Sequence, residues 1–130
     1  MIFEYTPVTP KIKRPLIQVR ISYKNKFLIT TSLIDSGSDY CIFPIDYAIA
    51  LSIPIIKSRS TIFSGFSGES SILYLYHVNL SIGNYSVKIL AGFTESIGMY
   101  SYSVLGQKGF FDNFKVCFDK PNLQIEITPK

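Results

Sequence analysis

The residues best suited to chemistry lie in the run Leu33-Ile34-Asp35-Ser36-Gly37-Ser38. A strand-like stretch from Phe27 to Ile34 precedes the Asp and an apolar segment, Cys41-Ile42-Phe43, follows it. The spacing therefore puts the carboxylate at a sharp turn where a strand ends, accessible but framed by apolar core. A second carboxylate brought against it would leave the two sharing one proton. Such a pair, one member protonated and the other ionised, can polarise a carbonyl and activate a water together. The neighbours suit this chemistry, since Ser36 offers a hydroxyl to brace the loop and Gly37 lets another backbone come close.

Other chemistries find fewer residues. The chain has one histidine, His77, on a strand where Val78, Leu80 and Ile82 share one face and His77, Asn79 and Ser81 the other. Any Ser-His or Cys-His triad would have to use this surface-facing ring, so that class is set aside. Two cysteines and one histidine are too few for a structural zinc site. Cys41 and Cys117 are expected to be reduced and buried, and neither a metal nor an organic cofactor is expected. A much weaker alternative is a carboxylate metal site built from Asp35, Asp39 and Glu69.

A chain of 130 residues makes one domain with a single core and is too short for two lobes. Because it carries only one Asp-Ser-Gly, a pair of catalytic carboxylates must come from two copies across a two-fold axis, which implies a homodimer. The 47% hydrophobic content is high for a small soluble monomer, and burial in a dimer would account for it. The net charge of +4 comes from basic residues scattered along the chain, apart from Lys11-Ile12-Lys13-Arg14. That cluster is too small to indicate nucleic-acid binding. No charged start followed by an apolar run marks a signal peptide, and no apolar stretch approaches the ~18 residues of a membrane span. The expectation is a cytoplasmic protein with no membrane partner.

The elements that must position Asp35 follow from periodicity and turn residues. Residues 1–15, with Pro7, Pro10 and Pro15, suit an extended N-terminal arm, either disordered or, by the family resemblance set out below, paired at the chain ends; residues 16–130 form the domain. Alternation in Leu16 to Ser22, a polar turn at Tyr23 to Lys26, and the run Phe27 to Ile34 read as a hairpin that delivers Asp35. Tyr40 to Phe43 reads as a short strand. Pro44 then starts one short helix over Ile45 to Leu51, with Ile45, Ala48 and Ile49 at near-helical spacing. Gly65, Phe66, Ser67 and Gly68 lie between strand-like segments and read as a hairpin tip. Gly83-Asn84 turns the strand ending at Ile82 into its partner, Tyr85 to Ala91. Phe93 to Tyr102 reads as a loop, Gly109 to Phe114 as a helical turn packing aromatics inward, and Leu123 to Thr128 as a last strand. The sum is an all-β, barrel-like domain with one short helix.

Apolar-apolar-Asp35-Ser36-Gly37-Ser38 resembles the active-site loop of aspartic proteases, and a second match follows about 70 residues later. There Ser103-Val104-Leu105-Gly106-Gln107-Lys108-Gly109 looks like the Leu-Gly segment that runs beside the catalytic loop in single-domain, retropepsin-like proteases, particularly prokaryotic ones. The resemblance spans Leu16 to Ile127. It implies a retropepsin-like barrel, an aspartic endopeptidase active as a homodimer, and a peptide or protein substrate. It further implies that Asp35 is catalytic, that Ser36, Gly37 and Ser38 support the loop, and that Asp39, Leu105 and Gly106 flank it. Gly65, Phe66, Ser67 and Gly68 would form the flap over the substrate. The chain departs from retroviral members in one respect: their Arg after the Leu-Gly glycine pairs with an acid beyond the catalytic Asp. Here Asp39 keeps the acid while Gln107 replaces the Arg, and the neighbouring Lys108 cannot reproduce a bidentate guanidinium fork. The alternative reading is a retropepsin-like dimerisation or peptide-binding module that does not cleave.

Overall fold

Alternation of apolar and polar side chains builds the first hairpin, because a strand with one buried face presents every second residue to the core. The structure, a computed structural model, describes residues 1–64, 68–98 and 101–130. Strand β4 (Leu16–Tyr23) buries Leu16, Ile17, Val19 and Ile21, and pairs in antiparallel register with β5 (Lys26–Ile34) along its whole length. The turn needs a left-handed residue, and Lys24 takes it at φ 53°. The strands preceding β4 are β1 (Ile2–Glu4), β2 (Thr6–Pro7) and β3 (Lys13–Arg14).

After the Asp35 loop come β6 (Ile42–Pro44) and the helix α1 (Ile45–Ala50), followed by β7 (Arg59–Ser64), β8 (Ser70–Ile82), β9 (Tyr85–Thr94) and β10 (Ser103–Leu105). Strands β11 (Phe114–Asp119) and β12 (Gln124–Pro129) finish the chain. The main sheet runs β4-β5-β10-β6-β9-β8-β7, and β4 also pairs with β8 through Arg20↔Ser81, Ile21↔Leu80 and Ser22↔Asn79. That extra pairing closes six strands into a ring and leaves β7 outside it, an edge strand on β8. The architecture is all-β and barrel-like with one short α-helix, as the periodicity predicts.

The ring is filled by Ile21, Phe43, Leu80, Ile82, Phe93, Leu105, Phe110 and Phe114, each under 2% exposed. Burying a side chain of this size contributes roughly 1.5–3 kcal/mol. Phe110 and Phe114 stack at 5.5 Å between centroids, and Phe114 N–H donates to the Phe110 carbonyl at 3.0 Å, so the 109–114 turn does pack aromatics inward. A smaller cluster of Ile42, Leu73 and Leu75 sits on the β7 side with Phe63 and Val104 packed against it.

The structure corrects several expectations. Strand β6 begins at Ile42, and Tyr40 forms only an isolated bridge with Lys108. The helix is so short that it buries Ala48 alone, while Ile49 is 67% exposed. Cys41 is buried but Cys117 is exposed, because β11 turns that face to solvent; both thiols are free. Strand β9 continues to Thr94, so the following loop starts two residues later than expected. For the N-terminal residues, where the sequence leaves pairing and disorder both open, pairing is what is seen: β1 pairs with β12, which pairs with β11, and β2 pairs with β3.

Candidate active site

Asp35 is placed by the end of one parallel pairing. Strands β5 and β10 run side by side through Ser32↔Ser103, Leu33↔Val104 and Ile34↔Leu105, and the Asp35 N–H then donates to the Leu105 carbonyl at 3.0 Å. Beyond that bond the two segments change partners. Gln107 N–H donates to the Ser38 carbonyl at 2.8 Å and Lys108 N–H to the Asp39 carbonyl at 2.9 Å. Residues 105–108 thus bind the loop 35–39 by three backbone bonds, which leaves little freedom at the carboxylate.

Only glycine fits where the segments cross. A Cβ on Gly106 would lie 2.2 Å from the Tyr40 carbonyl oxygen and 2.6 Å from that of Ser38. Within the loop, Gly37 N–H donates to Asp35 Oδ1 at 2.9 Å, Ser38 N–H to the Asp35 carbonyl at 3.2 Å, and Ser38 Oγ to the Tyr40 carbonyl at 2.8 Å. An ionised carboxylate accepting a backbone N–H is held in one rotamer, with its second oxygen left for another partner. Asp35 is half-buried, while Ser36, Gly37 and Asp39 are exposed or partly so. The loop-internal side-chain brace is Ser38; the Ser36 hydroxyl has no hydrogen bond among the described residues.

Gln107 does more than fill the position of the missing Arg. Its Nε2 donates to the Ser36 carbonyl at 2.7 Å, a side-chain tether across 71 residues of sequence. Lys108 turns to Tyr40 instead of Asp39, with Nζ 3.3 Å from the hydroxyl and 4.7 Å from the ring centroid. The sequence points to Gln107 only as a departure; what it hides is the amide's reach, which depends on the β5–β10 register.

A cleft of about 550 Å³ opens beside the loop, lined by Gly37, Ser38, Asp39, Tyr40, Ile42, Gln107 and Lys108 on one side and Thr61 to Ser64 of β7 on the other. The sequence alone does not single out the β7 wall, although its Thr-Ile-Phe-Ser pattern alternates. Of the hairpin tip, Gly65, Phe66 and Ser67 lie outside the described residues, while Gly68 adopts φ +83° with nothing among the described residues within 4 Å of where a Cβ would stand. Among the described residues, no three His, Cys, Asp or Glu side chains come together, so Asp35, Asp39 and Glu69 do not assemble a metal site. No helix of the described residues is long and apolar enough to cross a membrane. His77 lies on β8, in the polar row opposite Val78 and Leu80.

These features define the fold as that of retropepsin-like aspartic proteases. The chain is similar to a retropepsin-like aspartic protease from Rickettsia conorii, with a TM-score of 0.67 and 17% identity over 98% of this chain and 97% of that one. It is also similar to the EIAV protease solved with the inhibitor HBY-793, with a TM-score of 0.55 and 18% identity over 78% of this chain and 88% of that one. No family model matches the sequence, and no curated protein matches it.

Proposed function

We propose that the chain is an aspartic endopeptidase that acts as a homodimer, with Asp35 of each subunit at the shared centre. The observation that carries this reading is the Asp35 carboxylate itself: half-buried, pinned through Oδ1 to Gly37 N–H, and set at the end of the β5–β10 pairing in a loop whose residues 37–39 line an open cleft. Two such loops meeting across a two-fold axis bring the carboxylates together to share one proton. The ionised member takes a proton from a bound water as the water attacks the scissile carbonyl carbon. The protonated member gives its proton to the carbonyl oxygen, and the tetrahedral intermediate collapses with a proton passing to the departing amine.

The remaining roles follow from position. Ser38 supports the loop through its hydroxyl and Ser36 through the carbonyl that accepts from Gln107, Gly37 permits close approach of the partner loop, Leu105 and Gly106 back it, and Asp39 lies in the cleft wall. The 65–68 tip closes over the substrate. Apolar side chains at Ile42, Ile62 and Phe63 favour an extended peptide with apolar residues beside the cut. Exposed Ile2 and Phe118, on the sheet that joins the two chain ends, supply apolar surface for the dimer contact.

The test is cleavage of a peptide library from acidic to neutral pH, read by mass spectrometry, for wild type and a folded, dimeric Asp35→Asn variant. Cleavage by wild type alone is expected. No cleavage by either, with dimers intact, would assign the fold to a non-cleaving peptide-binding module, and equal cleavage by both would expose a contaminant.

A further inference from the structure

A second cleft lies elsewhere on the barrel. It has a volume of about 650 Å³ and shares no lining residue with the cleft beside the 35–39 loop. Four cations line it: Lys24 from the β4–β5 turn, Lys57 and Arg59 from the segment entering β7, and Lys88 from β9. Neither Asp nor Glu is among its lining residues. Four positive charges around one concavity repel one another, and a low-dielectric wall focuses their field outward.

The lining draws on both faces of β8, with polar residues on one and Tyr76 on the other, together with Leu75, Val78 and Leu90. Ser22, Asn79 and Lys88 form a row across three strands, since Ser22 pairs with Asn79 on β8 and Asn79 with Lys88 on β9. Tyr23 and Tyr76 pack edge to face at 5.8 Å, while His77, also in the lining, shares the other face of β8 with Asn79. Interaction with the Tyr23 hydroxyl is the main influence raising the Tyr76 phenol above its ordinary range, while Lys24 and Lys57 pull it the other way. Both lysines are therefore near enough to bear on the same phenol.

We infer that this cleft binds a small phosphate-bearing anion, its phosphate chain held by Lys24, Lys57, Arg59 and Lys88. The volume falls within the roughly 300–1,000 Å³ of small-molecule sites. Arg59 offers a planar fork to phosphate oxygens and the lysines offer point charges, the division of labour that phosphate recognition uses. Binding of this kind requires no proteolysis and stands independently of the activity proposed above.

Isothermal titration of the full chain at low ionic strength tests it with three probes: tripolyphosphate, adenosine triphosphate and adenosine. Tripolyphosphate should bind saturably at one site per chain. Either Lys57→Ala with Arg59→Ala, or Lys24→Ala with Lys88→Ala, should weaken it at least tenfold, and Lys13→Ala with Arg14→Ala, an equal loss of charge outside the cleft, should not. Equal affinity for adenosine triphosphate would assign recognition to the phosphate chain alone, and several-fold tighter binding would add a contact of the base with the tyrosines. Amide shifts of Tyr76, His77 and Lys88 in the wild-type spectrum give a second reading that needs no variant. Absence of saturable binding, equal weakening by the Lys13/Arg14 pair, shifts confined to other residues, or adenosine binding as well as its triphosphate would overturn the inference.

Discussion

Replacing Gly106 by alanine tests how rigidly the Asp35 loop is held. The added Cβ would stand 2.2 Å from the Tyr40 carbonyl oxygen, 2.6 Å from the Ser38 carbonyl oxygen and 2.8 Å from the Tyr40 carbonyl carbon. All three are backbone atoms, so no side-chain rotation relieves the overlap. Overpacking in a tight interior costs about 1–3 kcal/mol when side chains can yield. Here the loop must move instead, which strains the Gln107-to-Ser38 and Asp35-to-Leu105 bonds at 2.8 and 3.0 Å. Each contributes about 1 kcal/mol. The sum is a loss of about 3–5 kcal/mol, a large share of the ~5–15 kcal/mol that holds a domain together. With a urea slope near 1.5 kcal/mol/M, the unfolding midpoint should fall by about 2–3 M. The assay is urea denaturation at fixed protein concentration, because a dimer would make the midpoint concentration-dependent. Gly37→Ala is the internal comparison, since its Cβ would meet only Asp35 Oδ1, at 3.2 Å. A midpoint for Gly106→Ala within about 0.5 M of wild type, or no lower than that of Gly37→Ala, would refute the claim that the crossing rests on backbone contact.

Gln107→Ala removes the bond to the Ser36 carbonyl and should cost about 1 kcal/mol in the same assay, with a larger proportional loss in peptide cleavage than in stability. Ser32 Oγ is buried without a hydrogen-bond partner among the described residues, so Ser32→Ala should be neutral or stabilising by up to about 1 kcal/mol; a clear destabilisation would reveal a partner for the hydroxyl. Iodoacetamide at pH 8 should modify native protein once, at Cys117, and twice after denaturation, as mass spectrometry would show. Burial pushes the Cys41 thiol up from 9.0 to about 11, so the unfolded thiol ionises first. The stability it contributes is fully present below pH 9 and lost as pH rises to 11, by about 2 kcal/mol at that point. Wild type should therefore lose more stability than Cys41→Ala between pH 8 and 11, and parallel declines would contradict this.

What can be read from the sequence follows from how local the deciding forces are. The 16–34 hairpin is legible because alternation and a polar turn lie within 20 residues of one another, and so is the β8–β9 hairpin around Gly83-Asn84. The placement of Leu105 and Gly106 beside Asp35 is legible only through the resemblance, since no local pattern links residues so far apart. The pairing of β1 with β12 has no local signal and is open only through the resemblance: three residues carry no periodicity, and the partner lies at the other end of the chain. Spacing assigns Ile49 to the covered face, but a six-residue helix makes too few turns to fix which stripe is covered. The basic residues look scattered, and in sequence they are. Four of them converge because a β-turn, a short 3-10 turn, an edge strand and β9 reach the same opening.

The bonding of loop 35–39 by residues 105–108 also bears on the order in which the molecule can be made. A chain emerging from the ribosome presents Asp35 long before Leu105, Gly106 and Gln107 exist to receive it, and synthesis proceeds at only ~5–20 residues per second. During those seconds the β4–β5 hairpin can form from its own contacts, but the Asp35 amide has no acceptor and the crossing has no glycine to close it. Contacts so distant in sequence are slow to form even in a finished chain. The carboxylate thus takes up its geometry near the end of folding, and a chain arrested before β10 would carry Asp35 on a loop still free to move.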